Sequence, residues 1–432
     1  MRTRTIILSD LHLSEGWDPE TCRISRIEDF FFDEAFTRFL HHLKSLRKED
    51  EKIRIIINGD FADFLQFKIQ PEKQEVNGEA VTAREIRYGL GTSTFKTLWK
   101  LNVLFEGHWK FFGALADFLS AGNELVIVPG NHDIEWMIPE VQDAFRRKMS
   151  ELTDSGEISE KITFSPWFYY DSDVSLFVEH GNQYDPLNSF DYLLHPYRED
   201  GTIDLPAGSF FVRYLFNEVE MDYPFADNMK PVSRFFRWVL FHPLSWLKIP
   251  TYLNFFFEIF KKAGPMDPAW KEKQERKQRE ILEEMSEKSG LGVEILTSLK
   301  KLWVPSAIHN ERGLKLLRRF LLPGDHGRDY YRRKAREIQR ITGGRYVVFG
   351  HTHEADLVCL AKKDRKKIEY FNSGTWTKSF ASNHEEMLLK EENEFACVEV
   401  RYDVSAADYK MNLLRWNDSI SGLERVRLFK EK

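Results

Sequence analysis

Five apolar runs along the chain each end in a short polar island: IILSDLH (6–12), IIINGDFAD (55–63), VIVPGNHD (126–133), LFVEHGNQYD (176–185) and VVFGHTHE (347–354). The runs are rich in β-branched residues and bounded by Gly, Asn and Asp, which predicts buried strands that stop at each island. Between them, 33–48 and 94–120 carry apolar residues at helical spacing. Strands alternating with helices predict an α/β architecture, in which ligand-bearing residues gather at strand ends from distant parts of the chain.

The pattern changes between the fourth and fifth islands, where helical periodicity dominates from about 190 to 342. SFFVRYLFNEVE (209–220) reads as a helix, and KEKQERKQREILEEMSEK (271–288) as a solvated one. RFFRWVLFHPLSWLKIPTYLNFFFEIFKK (234–262) sets aromatics and aliphatics between Arg and Lys, with Pro243 and Pro250 dividing it into short helices. Helical apolar stripes usually pack against a core. Basic stems on aromatic bodies also suit a peripheral membrane contact or the hydrocarbon of a lipid-linked substrate, and both readings are carried forward. The expected organisation is a catalytic domain from 1–190 and 343–432, with 191–342 inserted as a helical cap or lid. The basic residues of 312–345, among them Arg312, Arg328, Arg332 and Arg345, form a solvated helix face from which a few guanidinium groups can clamp phosphate.

The islands carry metal-binding chemistry. Asp10 and His12 are two residues apart, so on an extended backbone they project to one side and share an ion. Asp60 follows Gly59, and two free carboxylate oxygens at a strand end can bridge two cations. Asn131 offers an amide oxygen and His180 an imidazole, while His351 and His353 repeat the two-residue spacing. These seven candidate ligands mix nitrogen and oxygen without a thiolate. That set suits two divalent ions, with Mn²⁺ favoured and Fe²⁺, Zn²⁺, Co²⁺ or Mg²⁺ admissible. Two ions roughly 3.5–4 Å apart activate water and brace a phosphate through in-line displacement. His132, beside Asn131, is the candidate proton donor to the leaving oxygen, and Asp133 is the expected partner of its imidazole. His41, His42 and His108 fall in helical stretches, and His195, His242, His309 and His326 lack ligand-type spacing, so they are left out of the site.

Taken in order, D-x-H, G-D-x-x-D, G-N-H-D, His-Gly and G-H-T-H resemble the signature of the calcineurin-like metallophosphoesterases. The resemblance covers roughly 1–190 and 343–400. It implies a four-layer α/β/β/α sandwich, with Asp10, His12, Asp60 and His353 on one metal, Asp60, Asn131, His180 and His351 on the other, and Asp60 bridging. IILSDLHL and INGDFADF look like the branch of UDP-2,3-diacylglucosamine pyrophosphatases, which typically carry Arg where this chain has His132. HGNQYDPLN (180–188) and YFNSGTW (370–376) look like elements of bacterial phosphoesterases of this size. Within them Asn188, Asn372 and Thr375 are candidates for substrate contact or, more simply, for turns.

Composition narrows the function classes. The chain has 432 residues, 42% of them hydrophobic and 14% aromatic, enough for a large core. A net charge of -6 disfavours general attraction to nucleic acid, so a nuclease or cyclic-nucleotide phosphodiesterase is the alternative reading. An inactive scaffold ranks last, since no ligand position is substituted. Cys22, Cys359 and Cys397 make no disulfide framework or C-x-x-C pair, and no apolar leader precedes the first strand, so a cytoplasmic setting is expected. The longest apolar stretches, near 238–247 and 249–257, are too short and interrupted to span a bilayer. The first reading is therefore a two-metal phosphohydrolase acting on a phosphodiester, pyrophosphate or phosphomonoester, the substrate lipid- or nucleotide-linked.

Overall fold

The computed structural model describes residues 2–18, 21–153, 156–221, 257, 259, 267–311, 315, 318, 327–363, 366–377, 379–382, 389–392, 395–404 and 407–426. Two mixed sheets stack face to face. The larger is built from β1 (Arg2–Leu8), β2 (Glu51–Asn58), β3 (Glu124–Val128) and β4 (Ile162–Phe164). The smaller comprises β5 (Phe168–Asp171), β6 (Leu176–Glu179), β7 (Tyr346–Phe349), β8 (Asp356–Lys363) and β9 (Lys366–Asn372). The chain then returns to the first sheet as β10 (Ala396–Asp403), β11 (Asp408–Asn417) and β12 (Gly422–Arg425). The strand orders are β12-β11-β10-β1-β2-β3-β4 and β8-β9-β7-β6-β5.

Strands β1 to β4 run parallel, as do β6, β7 and β9. Parallel strands covered on both faces need no alternation of polar and apolar residues, which is why the runs before the islands are continuously hydrophobic. Alternation survives in the direction of burial. Ile7, Ile56, Val126 and Val128 meet Leu176, Val178, Val348 and Phe371 of the other sheet, whereas Ile6, Leu8, Ile55 and Ile57 belong to the core beneath the helices.

Helices α1 (Asp33–Ser45), α2 (Thr94–Gly107), α3 (Trp109–Ser120) and α4 (Pro139–Glu151) share that core through Phe36, Phe39, Phe105, Phe111, Phe112 and Phe145. On the far side lie α5 (Pro268–Ser289), α6 (Val293–Lys300) and α7 (Arg328–Thr342). Their Leu282, Met285, Leu296, Leu299, Tyr331, Ala335 and Ile338 pack in the same cluster as Phe177, Val347 and Phe349 of the second sheet. The result is the α/β/β/α sandwich expected from the motifs. β6 and β7 present an apolar outer face, and the described helices between 268 and 342 pack against it. The segment 209–220 is helical, as its periodicity predicts, with a π-helical turn at Val212–Phe216. The aromatic stretch 234–262 lies outside the described residues apart from 257 and 259, as does Arg312.

Candidate metal centre

Every island lies just past the C-terminal end of a parallel strand: Asp10 and His12 after β1, Asp60 after β2, Asn131 after β3, His180 after β6, and His351 and His353 after β7. Side chains that are 341 residues apart in sequence thereby meet, Nε2 of His12 lying 3.2 Å from Nε2 of His353. The described residues hold three groupings of metal-ligand type, one of His12 with Asp63 and His132, and two that share no member, Asp10 with His12 and His353, and Asp60 with His180 and His351. Between them sits Oδ2 of Asp60, 3.7 Å from Nε2 of His12 and 3.1 Å from Nε2 of His180. Its other oxygen is taken, since Oδ1 accepts the backbone N–H of His132 at 2.9 Å. Asp60 thus faces both groupings through one oxygen rather than the two anticipated.

The local backbone also differs from the extended form assumed for the two-residue spacings. Asp10, His12, Asp60, His351 and His353 all have φ between 50° and 67°, in the left-handed region. Non-glycine residues seldom adopt it, and such residues concentrate where a site over-determines the chain. Left-handed turns, not a shared strand face, aim these side chains inward. The turns are tied together: the N–H groups of Leu11 and His12 both donate to Asp60 O at 2.9 Å, and His351 N donates to Asp10 Oδ2 at 3.0 Å. Two glycines make room. A Cβ on Gly59, itself at φ +82°, would fall 2.1 Å from Nδ1 of His180, and one on Gly130 would fall 2.1 Å from Oδ1 of Asp60.

Neighbouring groups fix how each candidate ligand presents itself. His180 donates Nδ1–H to Asn58 O at 2.8 Å, which turns Nε2 to the interior. Nδ1 of His12 meets Asp63 Oδ2 at 3.1 Å, and Nδ1 of His132 meets the same oxygen at 2.5 Å. Sequence reasoning passed over Asp63, although it is the second Asp of the G-D-x-x-D motif. Burial raises its carboxyl, but the charge of His132 and the hydrogen bonds from His12 and His132 outweigh that and hold it at about 2. Burial likewise depresses His180, yet the Asp60 carboxylate overrides it and lifts the imidazole to about 9. Burial also raises Asp10 and Asp60, and the surrounding histidines bring both below the usual carboxylate range.

The expected pairing of Asp133 with His132 is corrected. Asp133 is fully buried, and its oxygens accept N–H groups from Gly130 at 2.6 Å, Phe61 at 2.7 Å and the Trp136 indole at 3.0 Å, with Asp60 and Ala62 at longer range. It pins the β2 and β3 loops together, while Asp63 takes the place beside His132. Asn372 and Thr375 likewise buttress rather than face outward: Asn372 Nδ2 donates to Gly350 O at 2.8 Å and Thr375 Oγ1 to Asp10 O at 2.8 Å. Among the basic residues, Arg332 is spent on a two-pronged pair with Asp356 at 2.8 and 2.9 Å, and Arg328 pairs with Glu354 at 3.0 Å.

The donor set fits divalent cations on one further observation. Asp10 Oδ1, Asn131 Oδ1 and His180 Nε2 are buried and have no hydrogen-bond partner. The approaches of His180 Nε2 to Asp60 Oδ2 at 3.1 Å and of His353 Nε2 to Asp10 Oδ1 at 3.2 Å have the distance of a hydrogen bond without its alignment. Buried polar atoms left unpaired cost about 1–3 kcal/mol each, so three of them converging from three islands mark a place for a cation.

Residues 3–205 match the family model of the calcineurin-like phosphoesterases. With the Asp and His groupings above, the chain is by class a metal-dependent phosphoesterase. No curated protein matches it. Among solved structures, a phosphopantetheinyl hydrolase from Mycobacterium tuberculosis aligns at 11% identity over 90% of this chain and 96% of that one. Its TM-score is 0.23, a likeness too slight to carry an argument. Among the described residues no helix is long and apolar enough to cross a membrane.

Proposed function

We propose that the chain hydrolyses a phosphate ester or anhydride with two divalent cations, Asp10, His12, Asp60 and His353 holding one and Asp60, Asn131, His180 and His351 the other. When bound, such ions supply Lewis acidity and make water nucleophilic at neutral pH. The observation that carries the reading is that three buried atoms without an aligned hydrogen-bond partner, Asp10 Oδ1, Asn131 Oδ1 and His180 Nε2, come from three islands that all meet Asp60, through the N–H groups of Leu11 and His12, the N–H of His132 and Nε2 of His180. His180 and His12 are held by their Nδ1 atoms so that Nε2 points into the cluster. His132 carries the proton for the leaving oxygen, and Asp63, bound at Nδ1, stabilises the imidazolium from which that proton departs.

Mn²⁺ is the first ion to supply, because the set of imidazole, carboxylate and amide ligands contains no thiolate. The decisive experiment counts metal per chain and compares turnover of an activated diester, an activated monoester, a nucleoside diphosphate sugar and a lipid-linked pyrophosphate. Two ions and a clear preference within the panel support the reading. A chain that binds no divalent ion and turns over none of the four overturns it.

A further inference from the structure

Asn131, His180 and His351 are three of the ligands proposed above for one cation, and the loop that follows His180 touches the other two. Asp185 Oδ2 lies 3.5 Å from Nε2 of His351 and accepts Nδ2 of Asn188 at 2.8 Å. The Oδ1 of Asn188 then accepts Nδ2 of Asn131 at 3.5 Å. Asp185 Oδ1 is fixed in turn by the N–H of Leu187 at 2.9 Å.

This chain of contacts has only one consistent polarity. An ionised carboxylate can only accept, so Asn188 must turn its NH₂ toward Asp185 and its carbonyl toward Asn131. Asn131 must then offer its own NH₂ to Asn188, which leaves Oδ1 facing the interior, the orientation a cation requires. Without that chain, the nearly isosteric amide of Asn131 can rotate and present NH₂ to the site instead. The same Asp185 oxygen favours the proton of His351 on Nε2 and frees Nδ1. Helix 207–211 locks the arrangement from outside: Gly208 N donates to Leu187 O at 2.7 Å, and a Cβ on Gly208 would fall 2.0 Å from Asn188 Oδ1. Ser209 Oγ donates to Asn131 O at 3.3 Å.

We infer that Asp185 and Asn188 are positioning residues that set the affinity of one of the two metal positions, the one formed by Asn131, His180 and His351, and leave the other to Asp63. The inference rests on the two-cation reading. The carboxylate at one end determines which atom Asn131 presents at the other, so the two positions have separate supports and separable affinities.

The test is calorimetric titration of the metal-free protein with Mn²⁺, comparing wild type with Asp185→Asn, Asn188→Ala and Asn188→Asp. The expected result is two binding events in wild type, one of them weakened about 10- to 100-fold in each variant and the other unchanged. Asn188→Asp keeps the shape but places an acceptor against Asp185, so it should lose the event as fully as Asn188→Ala. Thermal unfolding of the metal-free forms identifies a variant that has lost its fold, and Asp185→Asn, which is isosteric, serves where Asn188→Ala has. Equal weakening of both events, or no change in either, overturns the inference. If wild type binds a single ion, the two-cation reading fails; a Kd for that ion unchanged in Asp185→Asn then overturns the inference, and a weakened Kd sustains the positioning role.

Discussion

Asp63 holds His132 through Oδ2 and Nδ1 at 2.5 Å, and the same oxygen lies 3.1 Å from Nδ1 of His12. One carboxylate therefore serves both the candidate proton donor and a candidate ligand. His132→Ala should slow hydrolysis of esters with poor leaving groups by about 10²- to 10⁴-fold and barely affect activated aryl phosphates. Asp63→Asn should show the same leaving-group dependence and also weaken metal binding, which loss of His132 alone should not. Residues acting as a unit are non-additive, so the double variant should be little worse than His132→Ala on alkyl esters. Equal slowing of aryl and alkyl substrates by His132→Ala would remove the proton-donor role.

Asp60 faces both groupings through Oδ2. Asp60→Ala should abolish activity and bring bound metal below one ion per chain, whereas His353→Ala, on one side only, should retain about one. Elemental analysis of the purified variants decides between them. Addition of Mn²⁺ should raise the unfolding temperature of wild type, because a ligand bound only by the native state stabilises it, and Asp60→Ala should lose that response.

Gly130 offers a test of the site with no chemistry in the altered side chain. A Cβ there meets Asp60 Oδ1 at 2.1 Å and Asp60 N at 2.6 Å, and neither backbone can yield cheaply. Gly130→Ala should cost about 1–3 kcal/mol of stability and lower metal affinity by displacing Asp60. Gly113, on α3 with nothing within 4 Å of an added Cβ, is the control. Gly113→Ala should be neutral or stabilising by about 0.5–1 kcal/mol, with metal binding intact. Denaturant titration and metal titration of the two variants measure both quantities.

His108 joins α2 to α3 with its ring buried, Nε2 lying 3.2 Å from Glu28 and Nδ1 lying 3.2 Å from Asp33. Burial lowers its pKa, but the charge of Glu28 and the hydrogen bonds from both acids outweigh that and raise it from 6.5 to about 10. A raised pKa contributes stability in full below the unfolded value and loses it as pH climbs through the folded one. The His108 contribution should therefore be complete below pH 6.5 and fade toward pH 10. Unfolding free energies measured across that window should fall more steeply in wild type than in His108→Gln. Parallel curves would show that the imidazole is not charged in the native state.

The metal-type residues were legible because their chemistry demands specific side chains beside long apolar runs, and both survive in linear sequence. Asp10, His12, Asp60, Asn131, His180, His351 and His353 are in one place for that reason. Partners across the fold were not legible. Asp63 lies 69 residues from His132 and Asp133 is its neighbour in the chain, so proximity in sequence selected the wrong acid. His108 was placed inside one helical stretch because periodicity cannot register the junction where two helices meet over a pair of acids. Which surface the helices of 268–342 cover was likewise not legible, because an apolar stripe does not name its partner.

The left-handed turns at five candidate ligands have a consequence for how such a centre arises or is transplanted. Placing Asp and His at the matching positions of an ordinary strand end would scatter them, since a strand that simply continues does not bend toward a common point. The backbone path has to exist first, held by neighbouring loops, before any substitution confers affinity. Grafting this centre onto another scaffold therefore means moving whole loops, with Gly59 and Gly130 among them, rather than seven side chains.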